Sequence, residues 1–204
     1  MSTASGGRGR RGRRPGGSQA REAIQDAARR LFAEQGFPGT SLRQVAAAAG
    51  VDVRLVSHYF GSKAGLFAAA FEFPFDPAPT FDALLAPGRE GLGTRLAEFV
   101  LGVLESLVGR QTMTGLMRAA ASEEQAAALV RQRLLDQLLL PLARRIGTDE
   151  AELRASLMGT QIGGLVVGRY ILGLPPLVEA DRATLVQLIG PVLEHYLTAP
   201  MPPR

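Results

Sequence analysis

The chain has 204 residues, 46% of them hydrophobic, which is enough to bury a core and too apolar for wholesale disorder. It has no Cys, which excludes disulfides, thiolate metal sites and Cys nucleophiles, and only two His, His58 and His195, whose separation argues against a histidine metal centre. The net charge of +4 is unevenly spread: eleven basic and four acidic residues stand before Ala68, so a basic head precedes a mildly acidic body, and such a head suits a polyanion.

Residues 1–17, MSTASGGRGRRGRRPGG, carry almost nothing to bury and read as a disordered Arg/Gly-rich arm. The arm is either a solubilising tail or, through residues such as Arg14, a set of phosphate and minor-groove contacts made when a duplex is present. Its RGRRP core is loosely similar to an AT-hook. No apolar run follows it, so it does not read as a secretory signal. From Ser18, a plausible N-cap, Ile24, Ala27, Ala28, Leu31 and Phe32 repeat at the spacing of one helix face, and Gly36 is a plausible stop. Phe37-Pro38-Gly39-Thr40 reads as a turn.

Ser41 and Gln44 then form a capping box for a short helix with Leu42, Val45, Ala46 and Ala49 inward, ending at Gly50. Asp52 caps a third helix with Leu55, Val56 and Tyr59 inward, broken at Phe60-Gly61. Ser62 caps a fourth, through Lys63, Leu66, Phe67 and Ala70 toward Phe73, where Pro74 ends it. Residues 74–93 are rich in Pro and Gly and read as a connector with one or two helical turns. Four helical patterns follow, 94–108, 112–146 (broken near Ser122), 149–173 and 181–198, with Asp149 and Glu152 as a helix start. The longest charge-poor apolar run, about Ala155 to Gly168, ends at Arg169 and is too short to span a bilayer. No stretch alternates with period two, so the fold class is all-α, and a soluble cytoplasmic protein without a membrane partner is expected.

The pair of short helices from Ser41 to Tyr59 is the central signal. A helix-turn-helix needs a small residue where the helices cross, here Ala46, and a turn residue tolerant of positive φ, here Gly50. With Val45, Val51, Leu55 and Val56 plugging the junction, Val53, Arg54, Ser57 and His58 point outward. A helix of this size fits the major groove, where Arg bonds guanine and Ser or His bonds bases or phosphates. Tyr59 and Lys63 sit where phosphate contacts fix docking. Tyr59 is equally a packed ring, and Phe60 reads as core.

These residues also carry a family resemblance. The run from Ala20 to Ala70, with L31-F-A-E-Q-G-F37, T40-S-L-R-Q-V-A-A-A-A-G-V51 and H58-Y-F-G-S-K63, resembles the N-terminal domain of the TetR family of transcriptional regulators. The resemblance implies an N-terminal helix-turn-helix DNA-binding domain over 18–67 and a helical effector-binding and dimerisation domain over 68–204. It implies a sequence-specific homodimeric repressor that binds a palindromic double-stranded DNA operator and is released by a small-molecule effector. Residue by residue, Ser41 and Arg43 correspond to phosphate and base contacts. Val53, Arg54, Ser57 and His58 correspond to the reading face, and Tyr59 and Lys63 to backbone clamps. Three positions depart from the family's pattern: Asp52 for a Ser or Thr cap, Ser57 where an aromatic residue is frequent, and Gly65 for an acidic residue in the fourth helix's capping box. The last is expected to loosen that helix's start.

In the body, Gly159, Gly163, Gly164 and Gly168 stand four apart in pairs. Glycine within a helix costs about 1 kcal/mol relative to Ala, so close approach by another helix is expected, from within the chain or from a second copy. The second alternative makes Gly159, Gly163, Gly164 and Val167, with Leu185, Leu188, Ile189, Val192 and Tyr196 of the last helix, a dimer interface built as a four-helix bundle. Phe99, Val103, Met113, Leu116, Met117 and Leu138, with Arg118 as polar anchor, are either plain core or the lining of an effector pocket. No P-loop or dinucleotide fingerprint occurs, and His195 beside Glu194 has no nucleophile motif nearby, so neither an enzyme nor a cofactor or metal is expected. The rival reading is a nonspecific nucleoid-type DNA-binding protein driven by the arginine-rich arm.

Overall fold

The computed structural model describes residues 17–122 and 124–201, and every element among them is helical. The arm, including Arg14, lies outside the described residues except for Gly17, which already belongs to the first helix.

Helix α1 (Gly17–Gly39) starts one residue ahead of Ser18, so Ser18 lies inside the helix and is not its cap. Gly36 breaks it with φ 72° and ψ 177°. Helix α2 (Leu42–Ala49) has the expected capping box: the Ser41 Oγ accepts from the Gln44 N–H, and the Ser41 N–H donates back to the Gln44 Oε1 at 2.8 Å. Gly50 closes α2 in the left-handed region at φ 67°, which a Cβ would strain. Asp52 caps α3 (Val53–Phe60) by accepting from the Arg54 N–H at 2.7 Å, and Ser62 caps α4 (Lys63–Ala70) by accepting from the Gly65 N–H at 3.0 Å. Each such cap contributes about 1 kcal/mol, which is how helices of eight residues hold their ends.

The fourth helix ends at Ala70, earlier than its pattern suggested, because Phe71 leaves the helix to fill the core completely. Gly65 is required there: a Cβ would collide with the Phe60 carbonyl oxygen, so the acidic residue of the family's pattern has no room. Ile24, Phe32, Phe37, Val45, Val56, Leu66, Phe67 and Phe71 form the core of this head, with Phe32 edge-on to Phe67 at 5.1 Å. Leu116 and Ala119 of α7 (Leu107–Ala120) and Ala126 and Val130 of α8 (Glu124–Arg131) complete that same core. Head and body are therefore joined by packed side chains.

The connector holds a real helix, α5 (Pro77–Leu85), capped by Asp76 with Pro77 in its first turn. After α6 (Leu92–Glu105) the chain breaks at Ser106, whose Oγ accepts from the Gly109 N–H at 3.0 Å and starts α7 several residues before the expected 112. Beyond α8 a π-helical stretch, Gln132–Leu139, runs into α9 (Leu140–Ile146). Helix α10 (Ala151–Val166) ends in a second π-helical stretch, Val167–Ile171, followed by the short α11 (Pro175–Glu179) and by α12 (Arg182–Thr198).

Asp149 does not cap α10 as its spacing with Glu152 suggested. Its carboxylate instead accepts from the Arg154 guanidinium at 2.6 Å. Arg154 is 1% exposed and also donates to the carbonyls of Asp149, Tyr196 and Ala199, tying the start of α10 to the end of α12. Helix α12 lies along α6, and the two backbones touch: a Cβ on Gly93 would collide with the Gly190 carbonyl, and the Gly93 N–H donates to the Glu194 carboxylate.

Candidate functional site

Two features of the molecule have the geometry of a site: the outer face of α3 and a cavity inside the body. On α3 the buried Val56 and half-buried Leu55 hold the helix to the head, which turns Arg54, Ser57 and His58 out to solvent, with Val53 half-buried beside them. No side-chain hydrogen bond or ion pair holds Arg54 or His58 to another described residue, and the His58 ring lies 5.5 Å from that of Tyr59. Ser41 and Arg43 at the start of α2 are exposed too, although the Ser41 hydroxyl already donates to Gln44 at 2.7 Å.

Tyr59 and Lys63 are engaged within the head. The Tyr59 hydroxyl donates to the Gly17 carbonyl at 3.1 Å, and the Lys63 Nζ donates to the Pro38 carbonyl at 3.4 Å while standing 4.4 Å over the Phe37 ring. They differ in what they can still offer. Lys63 keeps two spare N–H donors, whereas the single hydroxyl proton of Tyr59 must leave Gly17 before it can reach an anion. Nothing in the sequence pointed to Gly17 as the partner of Tyr59, which lies 42 residues further along.

The cavity, about 470 Å³, lies among α5, α6, α7, α8, α10 and the π-helical stretch at 132–139. Phe99, Val103, Met113, Met117 and Leu138 line it. Leu116 and Arg118 do not. On α7, residues 113 and 117 share the cavity face, which turns Leu116 into the core of the head, fully buried. Arg118 points outward and donates to the Ala33 carbonyl of α1 at 2.6 Å, so it is a link between helices and not an anchor in the pocket. Sequence reasoning missed Phe73, Phe75 and Phe81, which belong to the connector and α5, and also missed Thr112. The DP sequence at Asp76-Pro77, a cap followed by proline, was the available signal that the connector held a helix.

The glycine stripe has neighbours within its own chain. A Cβ on Gly159 would lie 3.0 Å from Leu139 Cδ1 and one on Gly163 3.5 Å from Met117 Sδ, while Gly164 is open, and all three border the cavity. Val167 is half-buried at the start of the second π-helical stretch. On α12, Leu185 is 2% exposed inside the protomer's own core, which removes it as a surface contact. Leu188, 66% exposed, faces out, with Ile189, Val192 and Tyr196 half-buried between. Among the described residues no group of three or more His, Asp or Glu is placed to hold a metal ion, and no helix is long and apolar enough to cross a membrane.

Comparisons with known proteins bear on both features. The family model for bacterial regulatory proteins of the tetR family matches residues 24–70, and that for the tetracyclin repressor-like C-terminal domain matches 90–197. The HTH-type transcriptional regulator BetI of Rhizobium meliloti is 28% identical over 187 residues, covering 80% of this chain and 84% of its own length. The HTH-type transcriptional regulatory protein RaaS of Mycobacterium tuberculosis is 33% identical over 117 residues, 57% of this chain and 52% of its own. Among solved structures, a TetR-family regulator from Streptomyces coelicolor A3 is 34% identical with a TM-score of 0.66, covering 91% of this chain and 98% of its own. NalD, the secondary repressor of the MexAB-OprM multidrug efflux pump in Pseudomonas aeruginosa, is 25% identical with a TM-score of 0.68, covering 88% of this chain and 96% of its own.

Proposed function

We infer the function from one premise: this chain belongs to the TetR family of bacterial regulatory proteins and is a DNA-binding transcriptional regulator. In our reading it acts in the cytoplasm as a homodimeric repressor, not as an enzyme. Each protomer lays α3 in a major groove of a two-fold symmetric operator, and a small molecule in the body cavity releases the complex. The observation that carries this reading is the outer face of α3, where Arg54, Ser57 and His58 stand exposed on a helix capped by Asp52 and hinged at Gly50.

The roles divide by chemistry. Arg54 has the fork geometry that bonds guanine bidentately, and Ser57 and His58 add shorter contacts to base edges or phosphates. Lys63 and Tyr59 hold the phosphate backbone and set the register without reading sequence, and Ser41 and Arg43 add phosphate and base contacts. Arg14 and its neighbours in the arm add salt-dependent affinity. For the dimer, the exposed Leu188 supports a contact along α12 that Ile189, Val192 and Tyr196 extend; Gly164 of α10 and Val167 just beyond it would meet that contact. Residues 18–67 serve as the DNA-binding domain and 68–204 as the effector and dimer domain.

Selection of duplexes from a random pool by the purified protein tests this. We expect convergence on a palindrome whose half-sites lie about one helical turn, or a multiple, apart. The selected site should bind at least about 10³-fold more tightly than random DNA. A pool that stays random would favour the nonspecific, arm-driven reading.

A further inference from the structure

The walls of the cavity specify what can enter it, and the argument rests on the reading that this is the effector site. Its lining is almost wholly apolar, with four phenylalanine rings among the lining residues and Phe75 edge-on to Phe99 at 4.8 Å. No carboxylate among the described residues lines it. The charged residue of the lining, Arg131, is exposed, as are the hydroxyl residues Ser156 and Thr160, so all three belong to the solvent side.

The buried polar side chain of the wall is Thr112, 1% exposed, and its hydroxyl has no hydrogen-bond partner. Helical threonines commonly satisfy that group on the carbonyl one turn back. Thr114, two residues on, does so on Arg110 at 2.8 Å, and Thr198 does so on Glu194 at 2.9 Å. Thr112 departs from that habit in the cavity wall, where its oxygen is covered and a turn about χ1 would bring the hydroxyl to the empty space. Leaving a buried hydroxyl unpaired is unfavourable, and a ligand oxygen placed against it would recover the loss.

We propose that the cavity binds an uncharged, largely apolar molecule of drug size bearing one carbonyl or hydroxyl oxygen, anchored on the hydroxyl of Thr112. The volume suits such a molecule. An ionised ligand would give up its water with no buried counter-charge among the described lining residues in return. The phenyl faces would offer a cation some attraction, but Phe is a weak partner, and Arg133 and Arg145 already stand over the Phe73 and Phe81 rings.

The test uses the full-length protein, the uncharged dye N-phenyl-1-naphthylamine, and four displacers built on one ring system: naphthalene, 2-acetylnaphthalene, 2-naphthoate and 2-naphthyltrimethylammonium. The ketone should bind about five- to tenfold more tightly than naphthalene, the worth of one neutral hydrogen bond. Both ions should bind at least about tenfold more weakly than the ketone. Thr112→Val should erase the ketone's advantage and leave naphthalene unchanged. Gly163→Leu, growing into the cavity beside Met117, should abolish displacement by all four. Should that variant fail to fold, the Thr112→Val comparison decides alone. An ion binding as tightly as the ketone, a ketone advantage that survives Thr112→Val, or no binding of dye or ketone would each overturn the proposal. DNA binding is followed in the same samples. Thr112-dependent ketone binding that leaves the operator complex intact would count against the effector role of the cavity while upholding the ligand class.

Discussion

At the scale of single residues, Arg54 and Lys63 make opposite predictions although both are basic side chains of the head. Arg54 is exposed and bonded to no described side chain, so its guanidinium is available to a base edge. Arg54→Ala should relax the preference at one base pair of each half-site by about 1–3 kcal/mol while other positions keep theirs. Lys63 lies over Phe37 with two N–H donors to spare. Lys63→Ala should weaken all duplexes alike and lower the slope of log K against log salt by about one, read by anisotropy titration at several ionic strengths. Arg154 belongs to neither group. Its guanidinium, 1% exposed, satisfies three carbonyls and the Asp149 carboxylate, and removing it leaves the carbonyls around a hole while the exposed Asp149 returns to water. Arg154→Ala should cost about 2–4 kcal/mol in urea unfolding, from the cavity and the unpaired carbonyls.

At the scale of elements, α7 connects the cavity to the head. Its face at Thr112, Met113 and Met117 lines the cavity, Gly115 presses against the Phe71 ring, and Arg118 clasps the Ala33 carbonyl of α1. A ligand that shifts α7 thus pushes on α1 and α4 together. Arg118→Ala should bind ligand and operator with near-parental affinity yet reduce ligand-driven release of DNA, measured as the ratio of operator Kd with and without ligand. Helix α12 offers a pH test. The Thr184 backbone N–H, and then its side chain, hold the Asp181 carboxyl below the ordinary carboxylate range. A depressed folded pKa means the cap's contribution is full above the unfolded value near 3.9 and is lost as pH falls through the folded one. Asp181→Ala should therefore lower Tm at pH 7, and the gap to the parent should close in acid. Such caps were legible in sequence at Ser41, Asp52 and Ser62, each of which starts its helix as expected, whereas at Asp181 only the helix start was read, one residue early. The failures have physical reasons. Asp149 has a cap's spacing but serves Arg154, a long-range partner that no local pattern reveals. The first π-helical stretch lines the cavity and the second packs on α7 and α11, settings no local pattern reveals, and the break read between 108 and 112 lies at Ser106.

At the scale of the whole molecule, the head was readable because its logic is local: caps, a hinge glycine and a small crossing residue all lie within some thirty positions. The cavity was half readable. Met113 and Met117 follow from helix periodicity, whereas Phe73 and Phe75 reach it from a connector whose course only tertiary packing sets. The central claim is that the folded head, and not the arginine arm, carries sequence preference. The direct measurement is duplex selection run in parallel with the full chain and with a chain lacking residues 1–16, a cut that keeps the Gly17 carbonyl for Tyr59. The account predicts one shared palindromic consensus, bound more weakly and with a shallower salt dependence after truncation. Loss of the consensus with the arm, the head remaining folded, would contradict it.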